Sequence, residues 1–366
     1  MSLTNPPPLL EIRDLRVGFD VDEGYLRAVD GVSLDLAEGE TLGLVGESGC
    51  GKSVTALSLL RLIPQPPGRI ESGSVLFRGR DLLRLSASEI RSIRGREISL
   101  IFQEPQQAFS PLHRIGDQLV DALQFHQPIS RPDALRLARE WLDKVSIGDP
   151  EERLRAYPHQ LSGGMLQRIM IVMALFLQPA LVIADEPTTA LDVTIQAQIF
   201  SLMKALKEDR TALILITHDL GAIWEMCDRV AVMYASRIVE TGRVADLFAR
   251  PAHPYTRALM KSIPSLDNPA ERLEVIPGQA HSPLDYPTGC RFRDRCPYAF
   301  DRCQHAYPPD YPKPDGGGVA CFLFDPEGTS SGRATSPREP SGLLRGSLGD
   351  LALPLVTQIR ETEGTP

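Results

Sequence analysis

The stretch ETLGLVGESGCGKSVTALSLLRLI, residues 40–63, decides the fold. It opens with a short apolar run, turns through glycines at 46, 49 and 51, and continues with apolar residues at helical spacing. That order predicts a buried strand, a glycine-rich turn and a helix. Within it, GESGCGKS at 46–53 fits G-x-x-x-x-G-K-[ST], a pattern suited to holding phosphate. Gly46, Gly49 and Gly51 let the loop, Glu47, Ser48 and Cys50 included, turn its backbone N–H groups toward phosphate oxygens. Lys52 adds a point charge, the Ser53 hydroxyl can ligate Mg²⁺, and the helix opening after Gly51 turns its positive end to the anion. A glycine-rich turn with an accidental lysine is the plainer reading. The strand before it and the helix after it decide against that.

Working outward, ALVIADE (180–186) and TALILITHD (211–219) contain short apolar runs rich in branched residues, the mark of strands covered on both faces. LEIRDLRVGF (10–19) and GVSLDL (31–36) alternate apolar and polar side chains, as half-buried strands do. DALRLAREWLDKV (133–145) places Leu135, Ala138, Leu142 and Val145 on one helical face, with Arg136, Arg139, Asp143 and Lys144 off it. Strands alternating with helices predict an α/β chain with a mainly parallel sheet. The strand in ALVIADE ends in Asp185-Glu186, two adjacent carboxylates that are costly to bury without a cation or proton. Asp185 can hold the hydration shell of Mg²⁺, and Glu186 can polarise or deprotonate an attacking water. A solvated acidic turn is the plainer alternative for the pair taken alone.

At 366 residues the chain has room for two or three compact units. Hydrophobic content of 42% and charged content of 23% are ordinary, and a net charge of −8 speaks against nucleic acid as a partner. MSLTNPPPLLEIRD at the start has no basic n-region and no apolar h-region, so no secretory signal is read there. The longest strictly apolar run, Ile169 to Leu177, falls far short of the ~20 residues that span a bilayer. The expectation is a cytosolic chain that meets a membrane only through a partner.

LSGGMLQR at 161–168 sets Ser162, Gly163 and Gly164 at the mouth of a strongly specified helix. A side-chain-poor helix start leaves N–H groups and a hydroxyl free to receive phosphate, although a plain helix cap would read the same way. With these elements in order, the chain resembles the ATPase subunits of ATP-binding-cassette (ABC) transporters over about residues 9–250. The elements are the glycine loop, Gln103 in IFQEP, LSGGMLQR, Asp185-Glu186, ALD at 190–192 and His218 in ITHD. The resemblance implies a P-loop NTPase core with an N-terminal antiparallel β subdomain and an inserted helical subdomain at about 104–179. It also implies a head-to-tail pair of cassettes, each lending Ser162, Gly163 and Gly164 to the ATP held by the other. Gln103 would reach Mg²⁺ or the water, His218 would contact the γ-phosphate and hold Glu186 and the water in line, and Asp192 would meet the partner's site. Phe19 would stack on adenine, with Tyr25 as its rival and core packing as the bland account.

Near residue 256 the texture changes: prolines crowd and long helical patterns stop. Domain limits of 1–255, 256–324 and a disordered tail at 325–366 follow. The middle segment carries Cys290, Cys296, Cys303 and Cys321. No C-x2-C pair occurs among them, so spacing does not select zinc, and four thiolates suit zinc or an iron–sulfur cluster. Unliganded packing is the blander alternative. HPYTRAL (253–259), IPGQ (276–279) and GCRFRDRCPYAFDRC (289–303) resemble the C-terminal extension of dipeptide and oligopeptide importer ATPases. That resemblance implies a four-iron, four-sulfur cluster, with Zn²⁺ second. One departure is QQAFSP at 106–111, where such relatives often have Met-Thr-Ser-Leu-Asn-Pro.

The chain is therefore expected to be the ATP-hydrolysing subunit of an importer for short peptides, on the cytoplasmic face of the membrane. Its expected cofactors are ATP and Mg²⁺. Its expected partners are a second cassette, two transmembrane permease subunits and an extracytoplasmic solute-binding protein. Nickel, glutathione or sugar cargo stays open, as does an ABC ATPase with no transport role.

Overall fold

The computed structural model describes residues 7–188, 192–262 and 276–326. β1 (Leu10–Val21) and β2 (Gly24–Leu36) form a long antiparallel hairpin, and β3 (Thr41–Val45) leads through the glycine loop into α1 (Lys52–Leu59). β4 (Gly68–Phe77) and the two-residue β5 (Arg80–Asp81) complete a four-stranded antiparallel sheet of order β2-β1-β4-β5. Its inward face is apolar, with Leu10, Ile12, Leu15, Val17, Val29 and Val32 all buried. The alternation read in the sequence is the pleat of this sheet.

α2 (Ala87–Ile93) and β6 (Ile98–Ile101) precede a helical insertion: α3 (Pro105–Ala108), α4 (Ile115–His126), α5 (Arg131–Lys144), α6 (Pro150–Arg155) and α7 (Gly163–Leu175). Ser130 caps α5 by accepting from the Asp133 N–H, and the helix buries Ala134, Ala138, Trp141 and Leu142. The chain returns to the sheet with β7 (Leu181–Asp185), then α8 (Val193–Leu206), β8 (Ala212–Ile216), α9 (Leu220–Met226), β9 (Arg229–Tyr234) and β10 (Arg237–Arg243). α10 (Val244–Ala249), α11 (Pro254–Lys261), α12 (Arg302–His305), β11 (Tyr311–Pro312) and β12 (Gly318–Val319) follow.

The main sheet has the order β11-β12-β10-β9-β3-β8-β7-β6. It is parallel from β9 to β6 and antiparallel beyond. Its central strands are buried on both sides. On β7, Leu181 and Ile183 pack toward the antiparallel sheet, while Val182 and Ala184 pack toward the helical insertion. β8 alternates likewise, with Ala212, Ile214 and Ile216 against Leu213 and Leu215. The continuous apolar runs are the consequence.

The segment after residue 256 does not stand apart from the rest of the protein. The boundary expected between 255 and 256 falls inside α11, whose Tyr255 is fully buried. β12 adds to the edge of β10, pairing Val319 with Glu240, and the Ala320 N–H donates to the Val239 carbonyl at 2.9 Å. Covering the β10 edge satisfies ladder groups that would otherwise stay open. Buried Glu240 receives the N–H groups of Ala252 and His253 and the Lys313 ammonium at 3.0 Å. Most of the expected tail, residues 327–366, lies outside the described residues, as do Ala190 and Leu191 of the ALD stretch.

Candidate functional site

Four parallel strands end side by side, and each delivers a predicted residue at its C-terminal end, where open α/β sheets bind their ligands. β3 delivers the glycine loop, β8 leads to His218, β7 ends in Asp185 before Glu186, and β6 precedes Gln103. Two loop glycines are sterically enforced. Gly46 has φ 155° and a Cβ there would sit 2.1 Å from the Met233 carbonyl oxygen; Gly51 has φ 107° and 2.2 Å to that of Ala28. Only a residue without a side chain keeps the loop this close to its neighbours.

Lys52 is 5% exposed, and its ammonium donates to the carbonyls of Gly46 (2.9 Å) and Glu47 (3.1 Å). The Ser53 hydroxyl donates to Asp185 Oδ1 at 2.9 Å. Burial raises the Asp185 pKa above the usual carboxylate value, and the neighbouring Glu186 charge adds to that, against the Ser53 hydrogen bond. A divalent cation between Ser53 and Asp185 would offset that burial cost. One hydroxyl and one carboxylate, completed by phosphate and water oxygens, are a donor set that suits Mg²⁺.

Glu186 adopts φ 46°, an uncommon backbone for a side chain of this size, and its N–H is tied to the Ile216 carbonyl at 2.9 Å. Its Oε2 accepts from Gln103 Nε2 at 3.2 Å and lies 3.7 Å from His218 Nδ1. Loop, carboxylate pair, glutamine and histidine thus form one cluster, although 115 positions separate Gln103 from His218 in the chain.

The remaining residues lie elsewhere. Ser162 caps α7, its hydroxyl accepting from the Met165 N–H at 3.3 Å, and Ser162 and Gly163 are exposed. A Cβ at Gly163 would meet nothing within 4 Å, so this fold does not need glycine there. Asp192 is an exposed cap on α8, accepting from the Ile195 N–H at 2.9 Å. Phe19, on β1, is half-buried against the antiparallel-sheet core, while Tyr25 is 38% exposed and donates to Glu71.

Among the described residues, no group of three or more His, Cys, Asp or Glu is already gathered as a metal site, the four late cysteines included. All four thiols nevertheless line one cavity, with Phe292 and Phe322 in its wall. They are free, and burial pushes the Cys296 thiol up to about 11 and the Cys321 thiol up to about 12.

Sequence reasoning missed two residues at the loop. The Glu47 N–H donates to the Tyr255 hydroxyl at 3.0 Å, and the Glu47 carboxylate takes a two-pronged contact from Arg295 at 2.9 and 3.0 Å. Both lie in stretches quoted for the resemblance of the extension, HPYTRAL and GCRFRDRCPYAFDRC, but more than 200 positions from the loop no periodicity or spacing ties them to it.

The chain is similar to known proteins along most of its length. A family model described as "ABC transporter" matches residues 29–189, and one described as "Oligopeptide/dipeptide transporter, C-terminal region" matches residues 239–303. The chain is 52% identical over 316 residues to a "Probable peptide ABC transporter ATP-binding protein" of Sinorhizobium fredii, spanning 86% of this chain and 94% of that one. It is 47% identical to the dipeptide transport ATP-binding protein of Bacillus subtilis (87% and 95% covered). It is 46% identical to the oligopeptide transport ATP-binding protein of Salmonella typhimurium (86% and 93%). A solved post-hydrolysis dimer of an ATP-binding cassette with ADP and Pi superimposes with TM-score 0.58 at 25% identity, over 64% of this chain and 98% of that one.

Proposed function

Because this chain belongs to the ABC transporter family, as an ATP-hydrolysing subunit of the peptide-import type, we propose how its residues divide the work. MgATP sits in the loop from Gly46 to Ser53, with Lys52 on the phosphates and Ser53 and Asp185 holding Mg²⁺. The bound Mg²⁺ neutralises charge on the phosphates. Glu186 accepts a proton from the attacking water, Gln103 and His218 orient that carboxylate, and Phe19 flanks the adenine. The observation that carries this reading is the meeting of Gln103, His218 and Glu186 within 3.2 and 3.7 Å, beside the Ser53–Asp185 pair.

The second half of each site comes from another cassette, whose Ser162, Gly163 and Gly164 close over the γ-phosphate while Asp192 meets the facing site. In support, Gly163 is exposed and sterically unneeded within its own chain. Among the described residues, no helix is long and apolar enough to cross a membrane. Transport then depends on two permease subunits, which this chain serves from the cytoplasmic face, with a solute-binding protein delivering short peptides from outside. The test is Gly163→Asp in the assembled transporter in vesicles. MgATP binding by the isolated chain is expected to stay within twofold, while peptide-dependent ATP turnover falls about a hundredfold, the scale of losing transition-state hydrogen-bond donors. Normal turnover and uptake in that variant would overturn the two-cassette reading.

We assign the four cysteines to a four-iron, four-sulfur cluster that staples the extension. Their convergence on one cavity supports it, as does the burial that makes bare thiolates costly there. Protein purified without oxygen is expected to be brown and to contain iron. Colourless protein containing zinc, or neither metal, overturns the assignment.

A further inference from the structure

The phosphate loop is soft by composition, since its glycines leave the backbone many conformations. Glu47 is where it is pinned, and it is pinned from outside. Its carbonyl accepts the Lys52 ammonium at 3.1 Å and the Cys50 N–H at 3.3 Å. Its N–H goes to Tyr255 and its carboxylate to Arg295. Arg295 is itself held in place: its side chain is 6% exposed, its Nε donates to the Pro277 carbonyl at 2.9 Å, and its guanidinium lies over the rings of Tyr234 and Phe292. A guanidinium fork fixed in advance loses little freedom when it takes a carboxylate with both prongs.

The pairing answers an electrostatic problem as well. An unpaired carboxylate in the loop, so close to a triphosphate, repels it, while a shift of Glu47 moves the carbonyl that Lys52 holds.

We infer that Arg295 and Tyr255, carried by the C-terminal segment, are positioning residues for the phosphate loop: they hold Glu47 so that Lys52 and the loop amides stay aimed at the nucleotide. Neither touches the reacting atoms. The inference rests on the loop's being the ATP site, and it makes nucleotide affinity a property of the extension as well as of the ATPase core.

The test is MANT-ATP binding with Mg²⁺ by the full chain. Arg295→Gln is expected to weaken affinity about tenfold, a typical loss for a broken charge-assisted pair. Adding Glu47→Gln removes the stranded charge and is expected to restore affinity to within about threefold of the parent. A purely structural role for Arg295 would gain nothing from the second change. Unchanged affinity in Arg295→Gln, or a loss that Glu47→Gln leaves in place, overturns the inference. Should Arg295→Gln fail to fold, Tyr255→Phe keeps the packed ring and removes only the hydroxyl. It is expected to raise KM for ATP about threefold at unchanged kcat, the size of one hydrogen bond, and an unchanged KM overturns the inference. Lys52→Ala in the same assay separates the two ideas. If it still binds nucleotide, the loop reading has failed; if it does not while Arg295→Gln binds normally, only the positioning role has.

Discussion

Replacing Glu186 with glutamine is expected to slow ATP turnover at least a hundredfold while leaving MgATP affinity within about threefold. The backbone at this position is held independently of the carboxylate charge, by the Glu186 N–H to the Ile216 carbonyl, in the uncommon φ 46° conformation. Glutamine has the same shape and can still accept from Gln103, so the site keeps its form. What disappears is the basic oxygen that takes the water's proton. Bound ATP then persists, and the variant is expected to sediment as a closed pair when saturated with MgATP. Phosphate release and sedimentation measure the two consequences. Turnover at the parent rate would show that another group is the base.

Lys52→Ala is expected to weaken MgATP binding a hundredfold or more, about 2.8 kcal/mol at 1.4 kcal/mol per tenfold, and to abolish turnover with it. Lys52 is buried, and its ammonium holds two loop carbonyls together, those of Gly46 and Glu47. Its removal takes away a cation facing the phosphates and also unties the loop. Titration calorimetry with ATP and Mg²⁺ checks the affinity. Undiminished binding would exclude the loop as the phosphate site.

The loop, the carboxylate pair and the buried strands were legible because their patterns are short and contiguous. Gly46 and Gly51 belong to one eight-residue motif, although the carbonyls that exclude a side chain there come from Met233 and Ala28, and β7 and β8 announce burial on both faces by unbroken apolar runs. The face of α5 was legible only in part. Ala138 and Leu142 lie in the core as the spacing implies, but Ala134 and Trp141 are buried there as well, because tertiary packing against the neighbouring helices widens the apolar stripe. The limit near residue 256 was read from proline content, which carries no record of contacts: β12 needs only two residues to cover a sheet edge, and Arg295 needs only one side chain to reach Glu47. Long-range partners of this kind leave no periodicity. The cysteine spacing was equally mute about geometry: it revealed a cluster in sequence and said nothing of how far apart the thiols would stand around their cavity.

The strand that the last third of the chain lends to β10 has a practical consequence for dissecting this protein. A gene cut after codon 255 would keep every nucleotide motif yet produce a fragment with a raw sheet border, with Glu240 entombed without its lysine and Glu47 without its arginine. Such a piece is disposed to stick to its own kind rather than to bind ATP. The smallest nucleotide-binding unit in this molecule therefore extends past the final short strand.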